Sequence, residues 1–394
     1  MSKHCDLTKL IDVVDAAKTE ECDRTVVEHL DECEECQLRL ARHAAGQWWW
    51  SDDSRSILLQ ACTELDDSGS QVFAVCDSDT PPTPHGWSVD FLEPPSHPEL
   101  LGHLGKYQFE HVIGRGGMGI VLKGFDTELN RTVAVKVLSP HLASSGAARQ
   151  RFSREARAAA AVVHDHVVAI HGIETDGKLP YIVMPYVGGE SLQSYVERNG
   201  TLAIKDIVRI AMQVASGLSA AHEQGLVHRD IKPANILLEN GFGRVLITDF
   251  GLARAADDAS ITRSGLVAGT PHYMSPEQAN GEAVDGRSDL FSLGSVIYFM
   301  ATGRAPFRGD GAMAVLNAIC HKSPRPANEV NNQVTESLEI IVTRLLQKEP
   351  LDRFQDATEL RQLLADYLAH LQLSLIHISE PTRHDSGSRM PSCA

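Results

Sequence analysis

The 394-residue sequence has no run of 18 or more apolar residues, the length at which a helix becomes a candidate to span a bilayer. Its most apolar stretch, residues 290–302, is shorter than that and is interrupted by Ser292, Gly294 and Ser295. The opening residues, MSKHCDLTKLIDVVDAAKTEE, lack the apolar core of a secretory signal. A soluble, cytoplasmic chain is therefore expected. Positive charge is scarce at the front: residues 1–106 hold 8 Lys+Arg against 21 Asp+Glu, a net −13 out of −16 for the whole chain. Such a stretch repels phosphate, so no nucleic-acid partner is expected for it. Cysteine is scarce at the back: six of the 8 lie at or before Cys76. A cytosolic chain does not keep disulfides, so a cluster of that kind points to a metal. No internal repeat is visible.

What is present is ordinary globular composition, 43% hydrophobic and 22% charged, which excludes a wholly disordered or fibrous chain. The length suits two or so domains. Four textures follow one another. Residues 1–45 look helical and carry a Cys/His cluster. Residues 46–106 are an acidic Pro/Ser-rich linker containing TPPTPHGW and EPPSHP, in which Trp48, Trp49 and Trp50 are unusual and suggest docking on another surface. Residues 107–372 alternate strand-like and helix-like patterns, as one compact α+β unit does. Residues 373–394 fit neither pattern.

The chemistry-bearing motifs lie in the third stretch. VIGRGGMGIVLKGF places Gly114, Gly116 and Gly119 in G-x-G-x-x-G, followed by Val121. That spacing alone also marks dinucleotide sites, where a strand runs into a helix. Here it runs into a second strand at 120–123 and a third at 132–138. A β-hairpin flap is therefore expected, whose glycines let backbone N–H groups close over phosphates. Lys136 sits inside the apolar third strand with Ala134. It can supply a cation to phosphates if a carboxylate balances it, and Glu155, in a helix opening near Arg151, is the natural candidate. LVHRDIKPANILL places Asp230, Lys232 and Asn235 on a loop broken by Pro233, between a helix at 207–224 and a strand at 236–238. LITDFGLA puts Asp249 at the end of a further strand. Asn235 and Asp249 are hard oxygen ligands suited to Mg²⁺. Asp230 can receive a hydroxyl proton, and Lys232 adds a second cation beside a transferring phosphate.

These ordered motifs resemble the protein kinases, and more closely the bacterial Hanks-type serine/threonine kinases, over about residues 107–372. The resemblance implies a bilobal α+β fold, with a β-rich N-lobe and a helical C-lobe. It implies ATP as phosphate donor, with Mg²⁺ (or Mn²⁺) as cofactor, and protein substrates. By resemblance Gly114, Gly116 and Gly119 cover ATP, and Val121, Ala134, Met184, Pro185 and Val187 line the nucleotide site. Lys136 binds the α/β-phosphates and pairs with Glu155. Asp230 is the catalytic base, Lys232 contacts the γ-phosphate, and Asn235 and Asp249 hold Mg²⁺. HRDIKPAN has the serine/threonine-type lysine. Pro185 stands where the family often has Glu; it lacks an N–H but keeps the carbonyl the adenine amine uses, and Val187 N–H would serve the ring nitrogen. Glu277, in Ser275-Pro276-Glu277, would pair with Arg353, and Asp289 would brace the catalytic loop. The activation segment, 249–277, holds Ser260, Thr262, Ser264 and Thr270. Arg229, directly before Asp230, would receive a phosphate from this loop. Thr270 is expected instead to neighbour the catalytic aspartate.

At the front, VVEHLDECEECQLRLARH carries His29-x-x-x-Cys33-x-x-Cys36. A His and a Cys four apart share a helix face, and Cys-x-x-Cys closes a chelate turn. Tetrahedral zinc needs a fourth ligand; Cys5 is the first candidate, with Cys22 and His4 as rivals. The spacing resembles the zinc-binding anti-sigma-factor module, which implies Zn²⁺ in residues 1–45 and a sigma factor or other regulator as partner. At the back, LSLIHISEPTR at 373–383 resembles one translated frame of a widely used transposon-type sequencing adapter. Residues 373–394 are thus expected to be non-native, and the native protein to diverge after about Gln372, where related kinases often continue into a membrane span. The alternative function is a kinase-like scaffold or a zinc-dependent anti-sigma-like binding protein. Lys136, Glu155, Asp230, Asn235 and Asp249 discriminate, because a scaffold tends to lose at least one and none is lost here.

Overall fold

The structure, a computed structural model, describes residues 89–379 except 117, 176, 178, 240 and 251–270, with side chains to residue 372. The expected zinc ligands (Cys5, His29, Cys33, Cys36, with Cys22 and His4), the loop hydroxyls Ser260, Thr262, Ser264 and Thr270, and residues 380–394 lie outside the described residues.

The N-lobe is an antiparallel sheet of β1 (Gly102–Leu104), β2 (Tyr107–Gly116), β3 (Gly119–Asp126), β4 (Arg131–Leu138), β5 (Gly172–Glu174) and β6 (Tyr181–Pro185), in the order β1-β2-β3-β4-β6-β5. Strand periodicity sorts β4 between two faces. Val133, Val135 and Val137 join Phe109, Ile120 and Leu122 on one side. Ala134 and Leu138 face the other, with Phe152 and Ala156. Lys136 shares the parity of Ala134, so it lies on the helix side. That helix is α2 (Gly146–Ala160), preceded by the short α1 (Pro140–Ala143). It starts earlier than expected, because the Ser145 side chain caps it by accepting from Ala148 N.

The stretch 89–106, assigned from its composition to a linker, packs on the N-lobe instead. Val89, Phe91 and Leu92 lie against the Phe109 side of the sheet, Glu93 bridges His103, and β1 extends the sheet next to β2. Proline and charge describe the stretch's average, whereas its few apolar residues find a sheet edge to cover.

The C-lobe is built around α6 (Gly286–Thr302), where Leu290, Phe291, Leu293, Val296, Ile297 and Met300 are all buried. A helix apolar on every side belongs at the centre of a lobe. Around it stand α3 (Leu192–Asn199), α4 (Ile204–Glu223), α5 (Pro276–Ala279), α7 (Ala312–His321), α8 (Ala327–Val330), α9 (Glu336–Leu345) and α10 (Ala357–Ser379). A small sheet, β7 (Gly189–Ser191), β8 (Ile236–Glu239) and β9 (Arg244–Ile247), carries the catalytic segments at its ends. Among the described residues no helix is long and apolar enough to cross a membrane.

Candidate active site

The glycine flap is the β2–β3 hairpin, with Gly114 opposite Val121 and Gly116 opposite Gly119. At Gly119 a Cβ would sit 2.0 Å from Val137 O, so only glycine lets the flap lie this close to β4. Beneath it Ala134 pairs with Met184 and Val133 with Pro185, the last strand residue before the connection to the C-lobe. Val187 follows, and among the described residues its N–H makes no backbone hydrogen bond.

The expected Lys136–Glu155 pair is not formed. Lys136 Nζ instead donates to Asp249 Oδ1 at 2.8 Å. Asp249 follows β9 with φ +65°, a left-handed conformation that turns it out of the strand direction, and its carboxylate meets the lysine beneath β4. Glu155 is buried on α2 and engaged elsewhere. Burial pushes the Asp249 carboxyl up, but the Lys136 ammonium, with lesser help from His228 and Lys232, overrides this and holds it below the ordinary range.

The catalytic loop runs from His228 to a 3-10 turn at Pro233–Asn235. Asp230 Oδ2 accepts from Asn235 Nδ2 at 2.9 Å and pairs with Lys232 Nζ at 2.8 Å. Asn235 Nδ2 also donates to Asp230 O at 2.8 Å, so the Asn235 side-chain oxygen is directed away from the aspartate. His228 accepts from Asp230 N through Nδ1, and its Nε2–H therefore donates to Thr248 O at 2.9 Å. Its ring also contacts Phe250, centroids 4.5 Å apart.

What holds this loop is Asp289, wholly buried on α6. Its two oxygens accept from Arg229 N at 2.7 Å and His228 N at 2.8 Å. His222 Nε2 donates to the same carboxylate at 2.8 Å. Arg229 has φ +67°, a strain of about 1–3 kcal/mol that these bonds over-determine. Gln278 Nε2 adds a bond to Arg229 O at 2.7 Å. The Gln278 Oε1 closes a capping box with Ser275 at the start of α5. The S-x-x-Q spacing signals the cap in the sequence; nothing there signals the bond to Arg229, and His222 likewise carried no signal. The Arg229 Nε is buried, with no hydrogen-bond partner among the described residues.

Glu277, on α5, accepts from Arg353 through both oxygens, at 2.8 Å each, and from the Ser288 hydroxyl. Burial raises its pKa, and these bonds outweigh burial and hold it below the usual range. The pair ties the end of the activation segment to the C-lobe core.

This bilobal arrangement is shared with known proteins. The protein kinase domain family matches residues 107–366. The serine/threonine-protein kinase PknB of Mycolicibacterium smegmatis is 42% identical over 262 residues, covering 65% of this chain and 42% of that protein. PknB of Mycobacterium tuberculosis is 40% identical over 262 residues, with 65% and 42% covered. Among solved structures, the PknI kinase domain of Mycobacterium tuberculosis is 27% identical with a TM-score of 0.55, covering 67% of this chain and 97% of that one. Rad53 1–466 in complex with AMP-PNP is 26% identical with a TM-score of 0.54, over 66% and 64%. The chain belongs to the protein kinase family, with a Hanks-type serine/threonine kinase domain of the bacterial kind. It spans about two-fifths of the length of these curated relatives.

Proposed function

We propose that the chain is an ATP-dependent protein serine/threonine kinase that passes the γ-phosphoryl group of ATP to hydroxyls of protein substrates and of its own activation loop. The observation that carries this is the convergence of Asp230, Lys232 and Asn235 within hydrogen-bond distance of one another, in the same cleft as Lys136 and Asp249. Asp230 Oδ2 is held from two sides, which leaves Oδ1 to receive the substrate hydroxyl proton. Lys232 stands beside it to balance charge on the transferring group. The donor set fits a hard divalent cation: Asp249 and the Asn235 side-chain oxygen would hold Mg²⁺, which when bound offsets phosphate charge. Lys136 would take the α/β-phosphates. A solved relative, Rad53 1–466, is in complex with AMP-PNP, an ATP analogue. The flap glycines, with Val121, Ala134, Met184, Pro185 and Val187, would enclose the nucleotide. The test is phosphorylation of a generic protein by the purified chain with ATP and Mg²⁺. Phosphoserine and phosphothreonine are expected, and no transfer would contradict the reading.

The buried Nε of Arg229 supports control by a loop phosphate. Thr262 is the first candidate, then Ser264 and Ser260, with Thr270 serving Asp230 and Lys232 whether or not it is modified. The spacing of His29, Cys33 and Cys36, with Cys5 as fourth ligand, supports a zinc-stapled anti-sigma-like module in residues 1–45 that binds a sigma factor or other regulator. So short a segment has little core without a staple.

A further inference from the structure

Glu277 and Gln278 are neighbours on α5, and their side chains serve different parts of the molecule. The Glu277 carboxylate is committed to Arg353 and Ser288, which fixes this end of the activation segment against the C-lobe core. The next side chain leaves the helix about 100° farther round and reaches the catalytic loop. Gln278 Nε2 donates to Arg229 O at 2.7 Å. That carbonyl belongs to the peptide unit directly before Asp230. The N–H of the same unit is Asp230 N, which donates to His228 Nδ1 at 3.2 Å. The peptide is therefore gripped at both ends, its carbonyl from α5 and its N–H from within the loop. Asp289 holds the N–H groups of His228 and Arg229, but a carboxylate only accepts, so it cannot serve this carbonyl.

The Gln278 amide has one orientation open to it. Its Oε1 accepts from Ser275 N at 3.0 Å and from the Ser275 hydroxyl at 3.2 Å. Turned over, it would set N–H against the Ser275 N–H and an oxygen against the Arg229 carbonyl. One side-chain amide thus joins the start of α5 to the peptide that precedes Asp230.

We propose that Gln278 is a positioning residue for phosphoryl transfer, whose amide passes the placement of the activation segment's end to the peptide that aims Asp230. This role rests on the reading of Asp230 as the base. Arg229, with φ +67°, is held in a conformation that its surroundings must enforce. Rotation of the peptide after it carries the Asp230 side chain along, and a misplacement of about 1 Å at a reacting group can cost about 10²-fold in rate.

Capping and positioning separate by substitution. Gln278→Glu keeps the oxygen that serves Ser275, since S-x-x-E caps a helix as S-x-x-Q does, but it sets an oxygen against Arg229 O. Ser275→Ala does the reverse: the cap loses its hydroxyl while Gln278 Nε2 and Arg229 O remain. The test compares the full unaltered chain with both variants in single-turnover γ-phosphoryl transfer to a generic protein, in ATP affinity and in thermal melts. Gln278→Glu should transfer about tenfold more slowly, with ATP affinity unchanged and little loss of Tm. Ser275→Ala should lose Tm and keep transfer close to the unaltered rate. Transfer by Gln278→Glu at the unaltered rate, or an equal fall in Ser275→Ala, overturns the positioning role and leaves the phosphotransfer reading standing. No transfer by the unaltered chain overturns both.

Discussion

Replacing Arg353 with Met tests the joint between the activation segment and the C-lobe. Arg353 is 1% exposed and Glu277 5%. Methionine keeps the apolar stem over Phe291 but removes every donor. Glu277 is then left with the Ser288 hydroxyl and its own backbone environment, while the carbonyls of Gln347, Arg287 and Lys348 lose the guanidinium. Removing one partner of a buried pair costs about 3–5 kcal/mol. At roughly 2–4 °C per kcal/mol for a domain of this size, Tm should fall by roughly 10 °C. The pH dependence distinguishes a stranded charge from lost packing. In the unaltered protein the Glu277 pKa is lowered, so the pair stabilises above the ordinary carboxylate range, and that stability is lost as pH falls through the lowered value. In Arg353→Met only burial acts strongly, the carboxyl shifts upward, and acid relieves the variant by neutralising it. The stability gap should therefore be widest near neutral pH and narrow towards about pH 4. All four tryptophans precede residue 89, so urea unfolding should be followed by far-ultraviolet circular dichroism. A loss below about 1 kcal/mol, or a gap that does not change with pH, would refute the reasoning. Glu277→Gln combined with Arg353→Met should recover part of the loss.

Gly286→Ala should push His222 off Asp289, because the added Cβ would meet the His222 ring at 2.7–3.1 Å; kcat should fall with little change in KM for ATP, and stability by about 1–3 kcal/mol in thermal melts. Phosphatase treatment should lower activity, Thr262→Ala with Ser264→Ala should lower it similarly, and Thr270→Ala should lower it further. Full activity after dephosphorylation would make Arg229 merely structural. Metal analysis should find one zinc per chain, lost in Cys33→Ser with Cys36→Ser, along with helicity in residues 1–45. Kinase activity on a generic substrate should survive that change.

The sequence made local features legible wherever spacing and chemistry coincide. Alternating Val133, Val135 and Val137 mark β4 and place Lys136 on its opposite face. HRDIKPAN places Asp230, Lys232 and Asn235 on one loop, and the structure brings them within hydrogen-bond distance. Glu277 with Arg353, and Asp289 with the catalytic loop, could be named in advance because the resemblance to the protein kinases implies them. The choice between two acceptors could not. Of Glu155 and Asp249, Lys136 Nζ meets Asp249, which follows β9 in a left-handed conformation that no sequence spacing signals. The left-handed Arg229 and its bond to Gln278 are likewise products of tertiary packing. Strand β1 escaped notice because three residues, Gly102–Leu104, carry too little pattern to stand out beside EPPSHP.

The central claim is that Asp230 takes the hydroxyl proton while other residues hold the nucleotide. The most direct measurement pairs ATP affinity with γ-phosphoryl transfer in the unaltered chain and in Asp230→Asn. Transfer should fall by about 10²–10⁴-fold, with ATP affinity nearly unchanged, since Lys136, Asp249 and the flap remain intact. Near-normal transfer by Asp230→Asn would contradict the account.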